Sequence, residues 1–173
     1  ASLASHPARR RRRAGWLAKL ALDGLAVPLA AAGRLAFGSG GRPAPLSPSR
    51  MNSIAFVKLD HLGDMIMATP LLRALRAWAP SARLVVYSRP QNAELVLRLP
   101  YVDGVEMADP PWIRPASGPL ENLKSCLALA GEIKRRAFDL AVDLRYHNRL
   151  DSLLLSLCGA RARLGFDAGG MGF

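Results

Sequence analysis

Short apolar runs alternate along the chain with longer segments in which apolar residues recur every three or four positions. The short runs are rich in bulky side chains, which is typical of strands buried on both faces of a parallel sheet. They predict strands at 54–57, 83–88, 105–107, 138–142 and 163–166. The longer segments predict helices at 65–79, 90–99, 120–136 and 151–158. This alternation predicts an α/β fold, a parallel sheet with helices on both faces.

The loop after the first strand concentrates several groups that could carry chemistry. Its polar residues and its glycine are Lys58, Asp60, His61, Gly63 and Asp64. Ligands of parallel sheets bind beyond the carboxyl ends of the strands, where this loop lies. The helix that follows presents free N–H groups and a positive dipole end to the loop, so we expect anionic groups to bind there.

Four of these loop residues also have an ordinary structural explanation. Asp64 could be the N-cap residue of the following helix, and Gly63 could be needed for the turn. Asp60 and His61 could be solvated loop residues. The chain contains neither G-x-G-x-x-G nor G-x-x-x-x-G-K-[ST], which argues against an ordinary dinucleotide site or P-loop.

A second polar loop, 143–149, follows the fourth predicted strand and contains Arg145 and Arg149. Because the carboxyl ends of parallel strands share one edge, we expect the two loops to meet at one rim. There, Lys58, Arg145 and Arg149 would supply positive charge for a phosphorylated or carboxylated ligand. Arg149 could equally be a surface residue near a helix.

The proline-rich stretch 109–119 cannot form regular structure. Long loops in compact domains often form lids or binding walls. Trp112 and Arg114 in this stretch could stack on and pair with a sugar phosphate. Alternatively, Trp112 could attach the loop to the core.

The net charge of +11 is concentrated near the N-terminus. Residues 1–50 contain nine basic residues and one acidic residue, which gives this segment a charge of +8. The remainder of the chain carries only +3. It has no basic stripe of the kind that follows a phosphate backbone, so the charge distribution argues against nucleic acid as a partner.

Composition divides the chain into a basic, apolar N-terminal extension with its linker, 1–50, and a globular domain, 51–173. The extension has five arginines at 9–13, then an apolar stretch and a linker rich in Gly, Pro and Ser. Its longest uncharged run is too short to span a bilayer. This composition favours peripheral contact with an anionic membrane surface through residues 1–37. The alternatives are a disordered start or a secretory signal, and Asp23 within the apolar stretch argues against the signal.

The cysteines and histidines show no metal-binding spacing. Cys126 and Cys158 each lie in an apolar helical segment, so packing explains them. His61 and His147 both follow predicted strands. Without a third ligand nearby, they argue against a metal site.

Two stretches resemble signatures of glycosyltransferase family 9, the heptosyltransferase-type enzymes that build the lipopolysaccharide core. The first is KLDHLGDMIMATPLLRALRAWAPSARLVVYSRP, which matches the family's strand, loop, Gly-Asp, Thr-Pro and Ala-Leu-Arg helix in order. The second is FDLAVDLRYHNRLDSLLLSLCGARARLGFD. Many members carry small hydroxyl residues where Leu59, Asp60 and His61 stand here, so the resemblance leaves the acceptor sugar undefined.

The resemblance implies the acceptor-binding, N-terminal half of a GT-B enzyme, in which two Rossmann-like domains face each other across a cleft. Such an enzyme transfers a sugar with inversion from a nucleotide sugar, such as ADP-heptose, to a glycan acceptor of the lipopolysaccharide-core type. Asp64 matches the position of the family's general base. The positions implied to bind the acceptor are Lys58, Asp60, His61, Gly63, Arg145 and Arg149. Neither a cofactor nor a metal is implied.

The family further implies a cytoplasmic protein at the inner face of the bacterial inner membrane, with donor contacts made by a second, C-terminal domain. The chain begins without methionine and ends soon after the first domain, so we expect a truncated product that is inactive alone. A non-catalytic Rossmann-like module that binds an anionic glycan or a protein at the membrane is the alternative. A nucleotide-dependent enzyme is a third interpretation, which the missing glycine fingerprint argues against.

Overall fold

The computed structural model describes residues 46–113, 118–145 and 149–165, except for the side chain of Arg149. Strands and α-helices alternate in this part of the chain. The strands are β1 (Ser53–Lys58), β2 (Arg83–Ser88), β3 (Gly104–Met107), β4 (Leu140–Asp143) and β5 (Ala162–Leu164). The helices are α1 (Leu62–Trp78), α2 (Pro90–Leu97), α3 (Pro119–Arg135) and α4 (Arg149–Leu157). Short 3-10 turns lie at Pro48–Arg50 and Pro111–Ile113.

The five strands form one parallel sheet in the order β3-β2-β1-β4-β5. The central strand, β1, pairs with β2 on one side and with β4 on the other. The chain therefore builds the sheet outward from β1 in one direction and then returns to build it in the other. The carboxyl ends of β1 and β4 form a topological switch point, which is where ligands bind in open α/β sheets.

Helices cover both faces of the sheet because the strands are apolar on both. On one face α1 and α2 pack through a cluster that includes Phe56, Leu72 and Val96. On the other face α3 and α4 pack through a cluster that includes Val57 and Leu154. Phe56 and Val57 are neighbours whose side chains point to opposite faces, as strand geometry requires. Full burial of a side chain of this size contributes about 1.5–3 kcal/mol.

Helix α1 continues through a proline that would ordinarily interrupt it. Pro70 has no N–H, so the carbonyl of Ile66 loses its usual helical donor. The hydroxyl of Thr69 donates to that carbonyl instead, at 2.8 Å. The Thr-Pro pair thus helps to keep α1 continuous for 17 residues, and its first turn lies at the rim beyond β1.

The predicted α/β fold is confirmed, and β2 has the predicted bounds. The fourth strand begins later than predicted, at Leu140. The reason is Asp139, whose carboxylate accepts the Asn52 N–H at 2.9 Å and pairs with Arg161 at 3.1 Å. These contacts place Asp139 at the entry of the strand. The last strand was predicted to reach residue 166, which lies outside the described residues.

The predicted extension, 1–37, lies outside the described residues, so a domain boundary near residue 50 stays a prediction. No helix in the described ranges is long and apolar enough to cross a membrane.

The packing role predicted for the cysteines is confirmed, because Cys126 and Cys158 are buried free thiols. Burial raises the pKa of Cys126 to about 12.

Candidate functional site

The loops that leave β1 and β4 meet at the switch point, as the sequence predicts. Val57 pairs with Asp143 in the neighbouring strand, so the two strands end side by side. Arg145, two residues beyond β4, reaches across to the loop after β1, and its Nε lies 2.7 Å from Asp60 Oδ1. The rim is therefore closed by a contact between the two predicted polar loops.

Asp60 is the centre of a buried charge network. Its second carboxylate oxygen lies 2.5 Å from Lys58 Nζ. Only 8% of Asp60 and 7% of Lys58 is exposed, so each charge depends on its partner rather than on bulk water. The structure thus brings together three of the predicted site residues, Lys58, Asp60 and Arg145.

Asp151, in the first turn of α4, extends this network. Its Oδ2 forms an ion pair with Arg145 Nη1 at 3.3 Å, with a geometry outside that of a hydrogen bond. Its Oδ1 accepts the indole N–H of Trp112 at 3.0 Å. Because Trp112 is itself buried, it attaches the segment after β3 to the network.

Asp143 is a third buried carboxylate in this region, and its Oδ1 accepts the backbone N–H of Arg145 at 2.9 Å. Burial, followed by the negative charge of Asp151, raises the pKa of Asp143 well above its usual range. Burial also raises the pKa of Asp151, although Arg145 and Trp112 oppose that change. Across the described residues, no group of three or more His, Cys, Asp or Glu side chains is arranged to hold a metal ion.

The first turn of α1 forms the open side of the site. The helix begins at Leu62, with His61 at the N-cap position and Asp64 at the third helical position. The N-cap interpretation of Asp64 is therefore wrong. In the part of the chain that the structure describes, the carboxylate of Asp64 forms no hydrogen bond or ion pair. His61 is exposed and its side chain makes no capping bond.

Gly63 lies in the same turn and has no positive φ, so the turn does not require glycine there. A Cβ at this position would have no neighbouring atom within 4 Å. The space in front of Gly63 is therefore open. A ligand can approach the free N–H groups of the first turn closely at this point.

Two residues of the site were missed in the sequence. Asp151 carried a recognisable signal, because a carboxylate inside an apolar helical run needs a partner when it is buried. Asn92 carried none, yet its Nδ2 donates to the carbonyl of Asp60 at 2.9 Å. Three residues that the sequence singled out have side chains outside the described part of the structure, namely Arg114, His147 and Arg149.

Solved structures share the fold of this chain. The glycosyl transferase family 9 protein from Veillonella parvula DSM 2008 matches 73% of this chain, with a TM-score of 0.58 and 23% sequence identity. The E. coli ADP-heptose lps heptosyltransferase II matches 70% of this chain, with a TM-score of 0.55 and 20% identity. No protein-family model matches the sequence, and no curated protein sequence matches it significantly.

The matches cover 34% and 32% of those two proteins, so this chain spans about a third of their length. At these identities the likeness shows a shared fold. By their descriptions, both proteins belong to the group that the two sequence motifs resemble. The fold match therefore agrees with the fold that the motif resemblance implies.

Proposed function

We propose that this chain is the acceptor-binding, N-terminal half of a GT-B glycosyltransferase of the heptosyltransferase type. The observation that carries the proposal is the first turn of α1. There the carboxylate of Asp64, which has no partner among the described residues, lies next to the open space at Gly63. This turn stands beyond the central strand, at the switch point of the sheet. The shared fold with a family 9 protein and a heptosyltransferase supports the proposal.

Asp64 is the proposed general base. Its carboxylate takes the proton of an acceptor hydroxyl while that oxygen forms a bond to the anomeric carbon of the donor sugar. The bond from that carbon to the nucleotide phosphate breaks on the opposite side, and the nucleoside diphosphate leaves. The configuration of the sugar is inverted as a result. A carboxylate without an internal partner is free to accept this proton.

The open turn supplies the direct acceptor contacts in this proposal. His61 is exposed there, and the space at Gly63 admits an anionic group of the acceptor to the helix N–H groups. Arg149 begins α4 on the other side of the switch point and is proposed as a further contact. His61 and Gly63 lie within three residues of Asp64 in the sequence, and Arg149 is the first residue of α4.

The buried network forms the floor of the proposed acceptor site. Asp60 is bonded to both Lys58 and Arg145, so the charges of these residues are largely balanced within the protein. Their main contribution is to fix the loop. About a fifth of the Arg145 side chain, 22%, is exposed and able to meet an acceptor phosphate or carboxylate.

The proposed donor is a nucleotide sugar such as ADP-heptose, and the proposed acceptor is a glycan or glycolipid of the lipopolysaccharide-core type. Most donor contacts come from a second domain of the GT-B arrangement, so this half alone binds acceptor without turnover. The chemistry proposed for Asp64 uses no cofactor. The protein works at the cytoplasmic face of the inner membrane, where residues 1–37 contact anionic lipid.

The test is Asp64→Asn in a two-domain protein that carries this chain as its N-terminal half. Asparagine accepts no proton at neutral pH, so donor turnover with acceptor present should fall by about 10²–10⁴-fold, with Tm nearly unchanged. Glu121→Gln is the matched control, because Glu121 holds the same third position in α3. It should show the same small loss of helix-dipole stabilisation and leave turnover unchanged.

Near-normal turnover in Asp64→Asn, or an equal loss in both variants, would contradict the assignment of the base. A wild-type protein that binds an anionic glycan but consumes no nucleotide sugar would favour the non-catalytic module instead.

A further inference from the structure

Asn92, in the first turn of α2, is a buried polar side chain that contacts the loop after β1. It is 0% exposed, and its Nδ2 donates to the backbone carbonyl of Asp60 at 2.9 Å. The backbone N–H of Asn92 is bonded to the carbonyl of Arg89 at 2.9 Å, which fixes the turn that carries the amide. The loop after β1 is thus tied to the start of α2.

Asp60 is therefore held from both sides of the switch point. Asn92 holds its carbonyl from the β2 side, and Arg145 holds its carboxylate from the β4 side. The carbonyl of Asp60 belongs to the peptide plane that leads into His61. The carbonyl of His61 in turn accepts the first helical bond of α1, from the Met65 N–H at 3.1 Å.

Packing alone does not account for an asparagine at this position. The Oδ1 of Asn92 is buried without a hydrogen-bond partner among the described residues, which reduces stability relative to an apolar side chain of the same shape. The Nδ2 bond to Asp60 is what an apolar residue could not provide.

We propose that Asn92 is a positioning residue whose amide fixes the Asp60–His61 peptide and thereby places the first turn of α1, with Asp64, at the rim. Asn92 does not touch the reacting groups. The role of this placement in sugar transfer rests on the proposed function, whereas the fixing of the loop rests on the geometry alone.

The first test is Asn92→Leu in the full chain, followed by amide hydrogen exchange. Leucine has the same branching and the same number of side-chain heavy atoms, and it removes the unpartnered Oδ1. This gain offsets the loss of the donor to the Asp60 carbonyl, so we expect global stability to change little. The Met65 amide should exchange about tenfold faster, as expected for the loss of one hydrogen bond near it. The amides of Val85 and Val86, in β2, should keep their exchange rates.

Ser88→Ala is the matched control for this measurement. Ser88 Oγ, at the end of β2, is also buried, and within the described ranges it has no hydrogen-bond partner and so no bond to the loop after β1. Its removal should leave Met65 exchange unchanged. An unchanged Met65 rate in Asn92→Leu would overturn the proposal. Equal acceleration of the Met65 and β2 amides would also overturn it, because that pattern reports global destabilisation.

The second test is kinetic and uses a two-domain protein whose activity is lost in Asp64→Asn. There Asn92→Leu should lower kcat by about tenfold to hundredfold, the usual effect of a misplaced catalytic group, and leave the KM for the donor unchanged. A normal kcat would overturn the positioning role in catalysis. If the wild-type protein transfers no sugar, the proposed function fails, and the exchange measurement still decides whether Asn92 fixes the loop.

Discussion

Arg145 Nε lies 2.7 Å from Asp60 Oδ1, and this ion pair joins the two loops that leave the sheet at its switch point. Lys58 contacts the other oxygen of the same carboxylate at 2.5 Å. One buried carboxylate is therefore the shared partner of two cations. Removal of one member of a buried ion pair is strongly destabilising, because the remaining charges stay buried without compensation.

Asp60→Asn should accordingly lower the free energy of unfolding by about 2–3 kcal/mol, somewhat below the range for fully buried pairs because Arg145 is partly exposed. Urea denaturation at neutral pH measures this change. The control is Glu94→Gln, which breaks the exposed Arg98–Glu94 pair of α2 and should cost less than about 0.5 kcal/mol. Similar losses in the two variants would show that Asp60 is not a buried counter-ion.

Gly63→Ala should have opposite effects on the stability of the protein and on its binding of the acceptor. The added Cβ meets no atom within 4 Å, and alanine favours a helix over glycine by up to about 1 kcal/mol, so stability should rise slightly. Acceptor affinity or turnover should fall by about tenfold or more if a ligand approaches the backbone here.

Gly131→Ala in α3 is the control for that experiment, since its Cβ would meet only the end of the Arg135 side chain, at 3.9 Å. It should raise stability to a similar degree and leave ligand binding unchanged. Thermal unfolding and ligand titration measure the two properties. Unaltered binding in Gly63→Ala would argue against a ligand at the first turn of α1.

The raised pKa of Asp143 predicts a stability that falls as pH rises. Burial, and then the charge of Asp151, raise this pKa from 3.8 to about 8. Between these two values the folded state binds more protons than the unfolded state, so the free energy of unfolding decreases with pH. The contribution of Asp143 is fully present below about pH 4 and is lost as pH rises through about 8.

Asp143→Asn tests this contribution, because asparagine keeps an oxygen for the Arg145 N–H bond and cannot ionise. The variant should be more stable than the wild type at pH 8, and the difference should shrink as pH falls and vanish near pH 4, as measured by urea denaturation from pH 4 to 8. Asp103→Asn gives a contrast of opposite sign. Burial opposes ionisation of Asp103, but the Leu84 N–H and Arg76 outweigh it and lower the pKa, so Asp103 contributes stability that is lost as pH falls. A wild type and an Asp143→Asn variant with parallel pH profiles would contradict the prediction.

Residues 1–37 should bring the full chain to anionic vesicles. The five arginines at 9–13 adjoin an apolar stretch, and each cation near an anionic surface is worth about 1 kcal/mol. Co-sedimentation should therefore favour anionic over neutral lipid and weaken with added salt. Replacement of these five arginines by glutamine should abolish the preference. Equal binding to both lipids would exclude an electrostatic contact.

Local patterns predicted most of the secondary structure, and the exceptions have identifiable causes. Residues 83–88 form the predicted strand because their apolar side chains are buried on both faces of the sheet. The start of α1 was placed too late because the helix has no side-chain cap. Because Asp and Ser are preferred at the N-cap, the sequence pointed to Asp64 for that position. In the structure His61 is the N-cap residue, and its side chain makes no capping bond.

The candidate site was predicted in its location but not in its internal pairing. Lys58, Asp60 and Arg145 were expected to bind a ligand, and the structure shows them bonded mainly to one another. Trp112 was open to two interpretations, and its bond to Asp151 favours the structural one. The Arg145–Asp60 and Trp112–Asp151 contacts join segments that are remote in the sequence, so no local pattern could reveal them.

The sequence by itself determined the order of strands and helices, and it placed the two polar loops beyond the ends of their strands. Those features follow from the spacing of apolar residues along the chain. Tertiary structure decided which charges neutralise one another. It also placed Asp64 in the open first turn of α1, where its carboxylate has no partner among the described residues. The physical reason is that the ionisation and availability of a side chain depend on burial and on its neighbours in space, which are set only when the sheet has assembled around β1.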